Sequence, residues 1–169
     1  QVADMDRHHY AEYPLTLARH PSETDQRMMV RLLAFALHAH ERLEFGKGVS
    51  TQEEPDLWQQ DLTGAIETWI ELGQPDEKRL RQACARAQKV YVYTYSGRGA
   101  QLWWTQNAKA LEGLDKLTVI HLPVDEVEAL AGLAQRNMQL QCSVQDGQAL
   151  LTDGDHAVAV QPVVATSAG

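Results

Sequence analysis

Three acidic residues, Asp56, Glu67 and Glu71, lie close together on segments whose side chains alternate as they do in β-strands. In an extended segment, Glu67 and Glu71 share a face with Trp69. Carboxylate oxygens are the ligands that Mg²⁺ takes, usually one or two per ion, with water and phosphate completing the shell. These acids are a candidate site for Mg²⁺ or Mn²⁺, whereas the hairpin alone favours the alternative, a solvated strand face that carries acids. Glu44, on a short predicted strand, is either a further ligand or an exposed strand residue.

The backbone that must position these acids is a hairpin followed by a helix. Residues 57–61 and 65–72 are the predicted strands, because a turn sequence ending in glycine separates them. A turn centred between residues 62 and 63 would place Asp56 opposite Trp69, diagonal to both glutamates.

One metal ion cannot bind both glutamates of the second strand. Glu67 and Glu71 are about 13 Å apart along a strand that rises about 3.3 Å per residue. Asp56 and Glu71 both lie at the open end of the hairpin, whereas Glu67 lies nearer the turn. We therefore expect Asp56 and Glu71 to form the metal-binding pair.

A helix over residues 76–88 and a central strand over 90–95 follow the hairpin. In the helix, Leu80 and Cys84 face inward, and Lys78 and Arg79 face outward. The alternation of helices and strands predicts an α/β domain in which one mixed sheet, flanked by helices, carries the hairpin near its middle.

An earlier helix is predicted over residues 22–41, with Ser22 as its N-cap. Arg27 and Arg31 are four residues apart and so share a face of this helix. Guanidinium groups match phosphate geometry well, which makes this pair a candidate substrate-binding element. A surface charge stripe is the alternative interpretation.

The remaining segments complete one predicted domain over residues 1–169. Of the neighbouring Trp103 and Trp104 on a predicted helix, one should pack in the core and one at its rim, and a base-stacking platform is the alternative. The chain from about residue 155 has a loop-like composition and is expected to be flexible. The other predicted elements are strands over 1–6, 10–18, 43–45 and 117–122, a helix from 123 to 133, and a hairpin of 138–144 with 148–151.

Composition limits the classes of function. The 169 residues carry a net charge of −8, which disfavours strong non-specific binding to nucleic acid but permits binding through a local basic patch. No apolar run approaches the roughly 20 residues of a membrane helix, so no membrane partner is expected. The two cysteines lack metal-binding spacing, and we interpret them as reduced thiols of a cytoplasmic protein.

The hairpin resembles the PD-(D/E)xK nuclease signature, in which Pro-Asp on one strand is followed by acid-x-Lys on the next. Pro55 and Asp56 match the first half, and Glu71 matches the second acid. Gly73 stands where the signature has lysine. Gln74 or Lys78 could substitute for that lysine from nearby.

A more extensive resemblance is to the YaeQ family of bacterial proteins. It rests on A-R-H-P-S-E-T at 18–24, R-M-M-V-R-L-L-A-F-A-L-H-A at 27–39, E-P-D-L-W at 54–58 and I-E-L-G-Q-P-D-E-K-R at 70–79. The resemblance implies a variant of the restriction-endonuclease-like fold, without a securely established activity.

Three functions remain open at this stage. The first is a Mg²⁺-dependent phosphodiesterase acting on nucleic acid, with Asp56 and Glu71 on the metal, Gln74 orienting water and either Lys78 or Arg31 supplying the positive charge missing at Gly73. The second is a non-catalytic module that keeps the scaffold and binds nucleic acid or protein. The third is acid–base catalysis on a small substrate by closely spaced carboxylates.

Overall fold

The computed structural model describes residues 1–19, 21–46 and 54–165. These residues form eleven strands and four helices, so the predicted α/β class is confirmed. In chain order the elements are β1 (Val2–Asp4), β2 (His9–Ala11), α1 (Asp25–Leu37), β3 (Leu43–Phe45), β4 (Leu57–Gln60), β5 (Ile66–Leu72), α2 (Glu77–Arg86), β6 (Ala87–Thr94), α3 (Arg98–Leu111), β7 (Leu117–His121), α4 (Val124–Ala131), β8 (Gln141–Gln145), β9 (Gln148–Thr152), β10 (Ala157–Val160) and β11 (Val163–Val164).

The chain divides into two compact units, each with its own mixed sheet. Unit 1 comprises Gln1–Ala39 and Leu122–Pro162, with strand order β10-β9-β8-β1-β2. Unit 2 comprises His40–His121 and the residues from Val163, with order β11-β7-β6-β5-β4-β3. The prediction of one mixed sheet was wrong, because β1 takes β8 as its parallel neighbour instead of joining the parallel strands β5, β6 and β7.

In unit 1, helix α1 is shorter at both ends than the predicted 22–41. Thr24 is the N-cap: its side chain accepts a hydrogen bond from the Arg27 backbone N–H at 3.1 Å, so the helix begins at Asp25. At the other end, the Arg7 guanidinium donates to the carbonyl oxygens of Leu37 (3.3 Å) and Ala39 (2.7 Å). Backbone carbonyl groups at the C-terminal end of the helix, which lack partners within the helix, thereby receive hydrogen bonds from the Arg7 side chain.

Two other segments differ from their predictions. The strand expected over 10–18 is confined to β2, since only His9–Ala11 pairs with β1. The segment from about residue 155 is not a simple flexible tail, because β10 pairs with β9, and β11 pairs with β7. The second prediction failed because local composition does not reveal strand pairing. Residues 166–169 lie outside the described part of the chain.

Unit 2 follows the predicted order of hairpin, helix and central strand. Asp76 caps α2 by accepting the Arg79 backbone N–H at 2.8 Å, and α2 runs directly into β6. Trp103 is buried and donates to the Pro75 carbonyl oxygen at 2.8 Å, whereas Trp104 is only partly buried, as predicted for neighbours on one helix. The buried core around these elements comprises Ile66, Trp69, Leu80, Ala83, Cys84, Ala87, Val90, Val92, Trp103, Leu111 and Val119.

Candidate functional site

The register between β4 and β5 determines which acids meet. Trp58 lies opposite Trp69, and Leu57 lies opposite Ile70, which brings the preceding Asp56 to the level of Glu71. The predicted register, with Asp56 opposite Trp69, was wrong by two residues.

Two local features cause this difference in register. The ladder shifts at a bulge between Gln59 and Gln60. The connection that follows is held by the Asp61 carboxylate, which accepts the backbone N–H groups of Thr63 (2.8 Å) and Ala65 (3.0 Å).

Asp56 and Glu71 approach each other from adjoining antiparallel strands. Asp56 Oδ2 accepts the backbone N–H of Leu72 at 2.8 Å, which holds its carboxylate beside the end of β5. Glu71 is only 5% exposed. Its Oε1 accepts both the indole N–H of Trp69 at 2.9 Å and the Arg79 Nε–H at 2.7 Å.

Burial and the neighbouring acid together raise the pKa of Glu71 above its ordinary value. Desolvation is the larger cause, and the charge of Asp56 acts in the same direction. The Arg79 charge and the hydrogen bonds from Trp69 and Arg79 lower the pKa without cancelling the increase. Glu71 therefore carries its carboxyl group in a buried position, beside a second carboxylate.

Arg79 is a site residue that sequence reasoning missed, because the helical pattern placed it on the outward face of α2. Its guanidinium turns back to Glu71, donates to the Glu54 carbonyl oxygen at 3.0 Å and lies 5.9 Å from the centre of the Trp69 ring. The available signal was Asp76: an N-cap there fixes Arg79 in the first turn, directly after the strand that carries Glu71.

Gly73, which replaces the lysine of the nuclease signature, has a physical reason to be glycine. Its φ is +101°, a conformation that side chains with a Cβ rarely adopt, and its N–H donates to the Tyr93 carbonyl oxygen at 2.9 Å. A Cβ at this position would meet no atom within 4 Å, so the obstacle to lysine is backbone strain rather than space.

The two residues proposed to replace that lysine lie near the acids in sequence but have other surroundings. The Gln74 amide donates to Ser96 Oγ at 2.5 Å. Lys78 is exposed on the first turn of α2. The cation that contacts Glu71 is thus Arg79.

Glu67 and Glu44 lie apart from this pair. Glu67 Oε1 accepts from Arg42 Nη2 at 2.9 Å and from the Gln59 amide at 3.3 Å, and these hydrogen bonds lower its pKa. Glu44 is exposed on β3, opposite Trp58.

Arg27 and Arg31 belong to unit 1, whereas the acid pair belongs to unit 2. Both guanidinium groups bind the buried carboxylate of Glu23, Arg31 at 2.6 Å and Arg27 at 3.2 Å. Arg31 also donates to the Ala18 carbonyl oxygen at 3.3 Å. This cluster ties the N-terminus of α1 to the preceding chain.

The donor chemistry of the acid pair fits a hard divalent cation. Over residues 1–19, 21–46 and 54–165, no group of three or more His, Cys, Asp or Glu side chains is arranged to hold a metal. Mg²⁺, however, commonly takes only one or two carboxylates. Asp56 and Glu71 supply two, and Glu71 Oε2 receives no hydrogen bond from the described residues.

Comparison with known proteins gives a consistent family match. The model of the YaeQ protein family matches residues 1–162. The chain is 44% identical over 152 residues to the uncharacterized protein YaeQ of Escherichia coli K12, covering 90% of this chain and 84% of that relative. The protein of the same name from Salmonella typhi is 42% identical over 160 residues, which is 95% of this chain and 88% of the relative.

Two solved structures share the fold over nearly their whole length. The crystal structure of the YaeQ protein from Xanthomonas axonopodis pv. citri has a TM-score of 0.94 at 49% identity, covering 97% of this chain and 93% of that one. The YaeQ protein from Pseudomonas syringae has a TM-score of 0.92 at 34% identity, covering 98% and 91%. Within the described residues, no helix is long and apolar enough to span a membrane.

Proposed function

This chain belongs to the YaeQ family, and we propose that it is a metal-dependent phosphodiesterase of nuclease type that acts on nucleic acid. One observation carries the proposal: Asp56, directly before β4, lies at the level of Glu71 on the adjoining β5, and the charge of Asp56 helps to raise the pKa of the buried Glu71. A buried acid with a raised pKa beside a second carboxylate is typical of a functional site. Mg²⁺ or Mn²⁺ is the proposed cofactor, and cytoplasm, where the buried thiols Cys84 and Cys142 would stay reduced, is the proposed location.

The arrangement of unit 2 supports the nuclease interpretation of the fold. Pro55 and Asp56 precede β4, Glu71 lies near the end of β5, and α2 and β6 follow. This order of Pro-Asp strand, acidic strand, helix and parallel strand agrees with a variant of the restriction-endonuclease-like core.

The chain's own residues have distinct parts in the proposed reaction. Asp56 and Glu71 would hold the cation, whose chemistry is to activate water and offset charge at the phosphate. Arg79 fixes the Glu71 carboxylate through Oε1, so that Oε2 is oriented without depending on the cation. Exposed Lys78 would contact a substrate phosphate, and Gln74, held by Ser96, would orient water.

Titration calorimetry with Mn²⁺ tests the metal site. We expect the wild-type protein to bind Mn²⁺, and Asp56→Asn and Glu71→Gln to weaken binding at least about tenfold, because each removes one anionic ligand. Glu67→Gln is the matched control and should bind like the wild type, since Glu67 is paired with Arg42. Absence of Mn²⁺ binding by the wild type would contradict the proposed function, as would equal losses in all three variants.

A non-catalytic binding module is the second candidate. The observation that favours it is the ion pair of Arg79 with Glu71, which already supplies a cation to the buried carboxylate. This candidate predicts nucleic-acid or protein binding that survives Asp56→Asn and Glu71→Gln, with no hydrolysis of labelled oligonucleotides in Mn²⁺. Metal-dependent cleavage lost in both variants would exclude it.

A further inference from the structure

We propose that Trp58 is a stacking platform for an unpaired base beside the scissile phosphate, which makes single-stranded nucleic acid the substrate. This inference rests on the proposed function, since it names the substrate class of the same site. Trp58 is the second residue of β4 and lies opposite Trp69 of β5. Trp69 and Glu71 are alternate residues of β5, so they share a face and are about 6.6 Å apart along the strand. Asp56, two residues before Trp58, lies directly before β4 at the level of Glu71.

Trp58 is a partly exposed ring beside buried ones. Its partner Trp69 is 2% exposed, and the two rings contact edge to face, with centres 6.2 Å apart and planes at 86°. Trp58 itself is only half-buried, on the β3–β4 side of the unit 2 sheet. Aromatic side chains of this kind bind bases without sequence preference, because every base has a π-face.

Two guanidinium groups over the Trp69 ring partly offset the carboxylates around Trp58 in a chain whose net charge is −8. The guanidinium of the exposed Arg86 lies 5.0 Å from the centre of the Trp69 ring, and that of Arg79 lies 5.9 Å from it. Glu44, exposed opposite Trp58, acts in the other direction. With positive and negative side chains both close to Trp58, we expect weak, salt-sensitive binding of nucleic acid, and we expect base stacking to contribute a large share of the binding free energy.

Stacking on a protein ring favours single-stranded over double-stranded nucleic acid. In a duplex both faces of an internal base are covered by its neighbours, so a protein ring reaches a base face only when that base is unstacked. A half-buried tryptophan next to the acid pair therefore favours a single strand or a frayed end over an intact duplex.

The test measures binding of a fluorescent single-stranded oligonucleotide at low salt with EDTA, which prevents cleavage. We expect Trp58→Ala to weaken binding about 5- to 150-fold, the range for loss of one stacked base, and Trp58→Phe to retain most of the affinity. Trp104→Ala is the matched control, because Trp104 is another partly buried tryptophan of unit 2 but packs against His121. It should leave affinity unchanged, and a duplex of the same sequence should bind less tightly.

A second measurement distinguishes the loss of one stacked base from a general loss of affinity in the variant. One nucleotide at a time is made abasic, and each oligonucleotide is bound to wild-type protein and to Trp58→Ala. We expect one or two positions to weaken wild-type binding and to have no further effect in Trp58→Ala. Equal sensitivity in both proteins, or no sensitivity in the wild type, would overturn the proposal.

The two proposals fail in different ways. Metal binding that depends on Asp56 and Glu71, together with oligonucleotide binding indifferent to Trp58, would overturn the stacking platform and leave the phosphodiesterase standing. Trp58-dependent binding of single strands by a protein that binds no Mn²⁺ would support the platform and reject the phosphodiesterase.

Discussion

Glu67 and Glu71 are the same residue type on the same strand, and each is bound by one arginine, yet their pKa values shift in opposite directions. The Arg42–Glu67 distance is 2.9 Å and the Arg79–Glu71 distance is 2.7 Å, so the ion pairs are equally close. Hydrogen bonds from Arg42 and Gln59 lower the pKa of Glu67, whereas burial and Asp56 raise that of Glu71.

The comparison shows that an arginine partner does not by itself decide how a carboxylate behaves. At Glu67, solvent keeps the cost of the charge low, and the added hydrogen bonds dominate. At Glu71, most of that solvation is lost and a second carboxylate lies nearby, so one guanidinium cannot restore the balance. Only at Glu71, therefore, do burial and a neighbouring acid outweigh the interactions that favour the ionised carboxylate.

The largest difference should appear when the arginines are removed. Arg79→Ala leaves Glu71 buried beside Asp56 without its cation, and we expect a loss of about 2–3 kcal/mol in the free energy of unfolding at pH 7. The loss is limited because Glu71 can take up a proton, which at pH 7 costs about 3.7 kcal/mol from an ordinary glutamate pKa. Urea denaturation measures it.

Arg42→Ala is the control for this experiment. It removes an equally short ion pair from a partly exposed position, so it should cost clearly less. The Arg79→Ala loss should also shrink between pH 7 and pH 5, because protonation of Glu71 becomes easier. Equal losses at both arginines, or a pH-independent loss at Arg79, would remove the distinction between the two sites.

The sequence correctly predicted the secondary structure that carries Glu71 and Arg79. The strand at Ile66–Leu72, its termination at Gly73 and the helix that follows were recognisable, because alternation, glycine and an Asp N-cap are local signals. The pairing of Asp56 with the Glu71 end was argued correctly from the open end of the hairpin.

What the sequence could not supply depends on pairing and on the direction of long side chains. The register error came from a bulge at Gln59 and Gln60, which no glycine or proline marks, and from the turn that the Asp61 carboxylate holds. The division into two sheets depends on the pairing of β1 with β8, far apart in the chain. Arg79 was misplaced because a flexible side chain on a helix edge can reach back over the preceding strand.

Neutralising the two glutamates should have effects of opposite sign on stability. Where folding raises the pKa of a carboxyl, the free energy of unfolding falls as the pH rises from the unfolded-state pKa through the folded-state pKa. Glu71 is such a group, so Glu71→Gln should stabilise the fold at pH 7, by up to about 1 kcal/mol. Where folding lowers the pKa of a carboxyl, that group stabilises the folded protein above its unfolded-state pKa, and the stabilisation is lost as the pH falls through the folded-state pKa. Glu67 is such a group, so Glu67→Gln should destabilise the fold at pH 7.

Thermal or urea unfolding at pH 7 and at pH 3 checks both signs. As the pH falls, wild-type Glu71 takes up a proton at a higher pH than Glu67, so the difference from the wild type should shrink first for Glu71→Gln and later for Glu67→Gln. Destabilisation by Glu71→Gln at pH 7 would mean that the hydrogen bonds from Trp69 and Arg79 outweigh the burial of the charge.

The smallest expected effect is the response of the two carboxyls to salt, followed by NMR titration of their side-chain ¹³C resonances. Salt screens charges in contact with solvent and hardly reaches buried ones. Raising NaCl from about 0.05 to 0.5 M should therefore move the pKa of Glu67 upward toward its ordinary value, because its attraction to Arg42 weakens. The pKa of Glu71 should hardly move, because burial, its main cause, is insensitive to ions in solution. If salt instead shifts both pKa values equally, Glu71 is as accessible to solvent as Glu67. The opposite pKa shifts of the two glutamates would then be due to Asp56 rather than to burial.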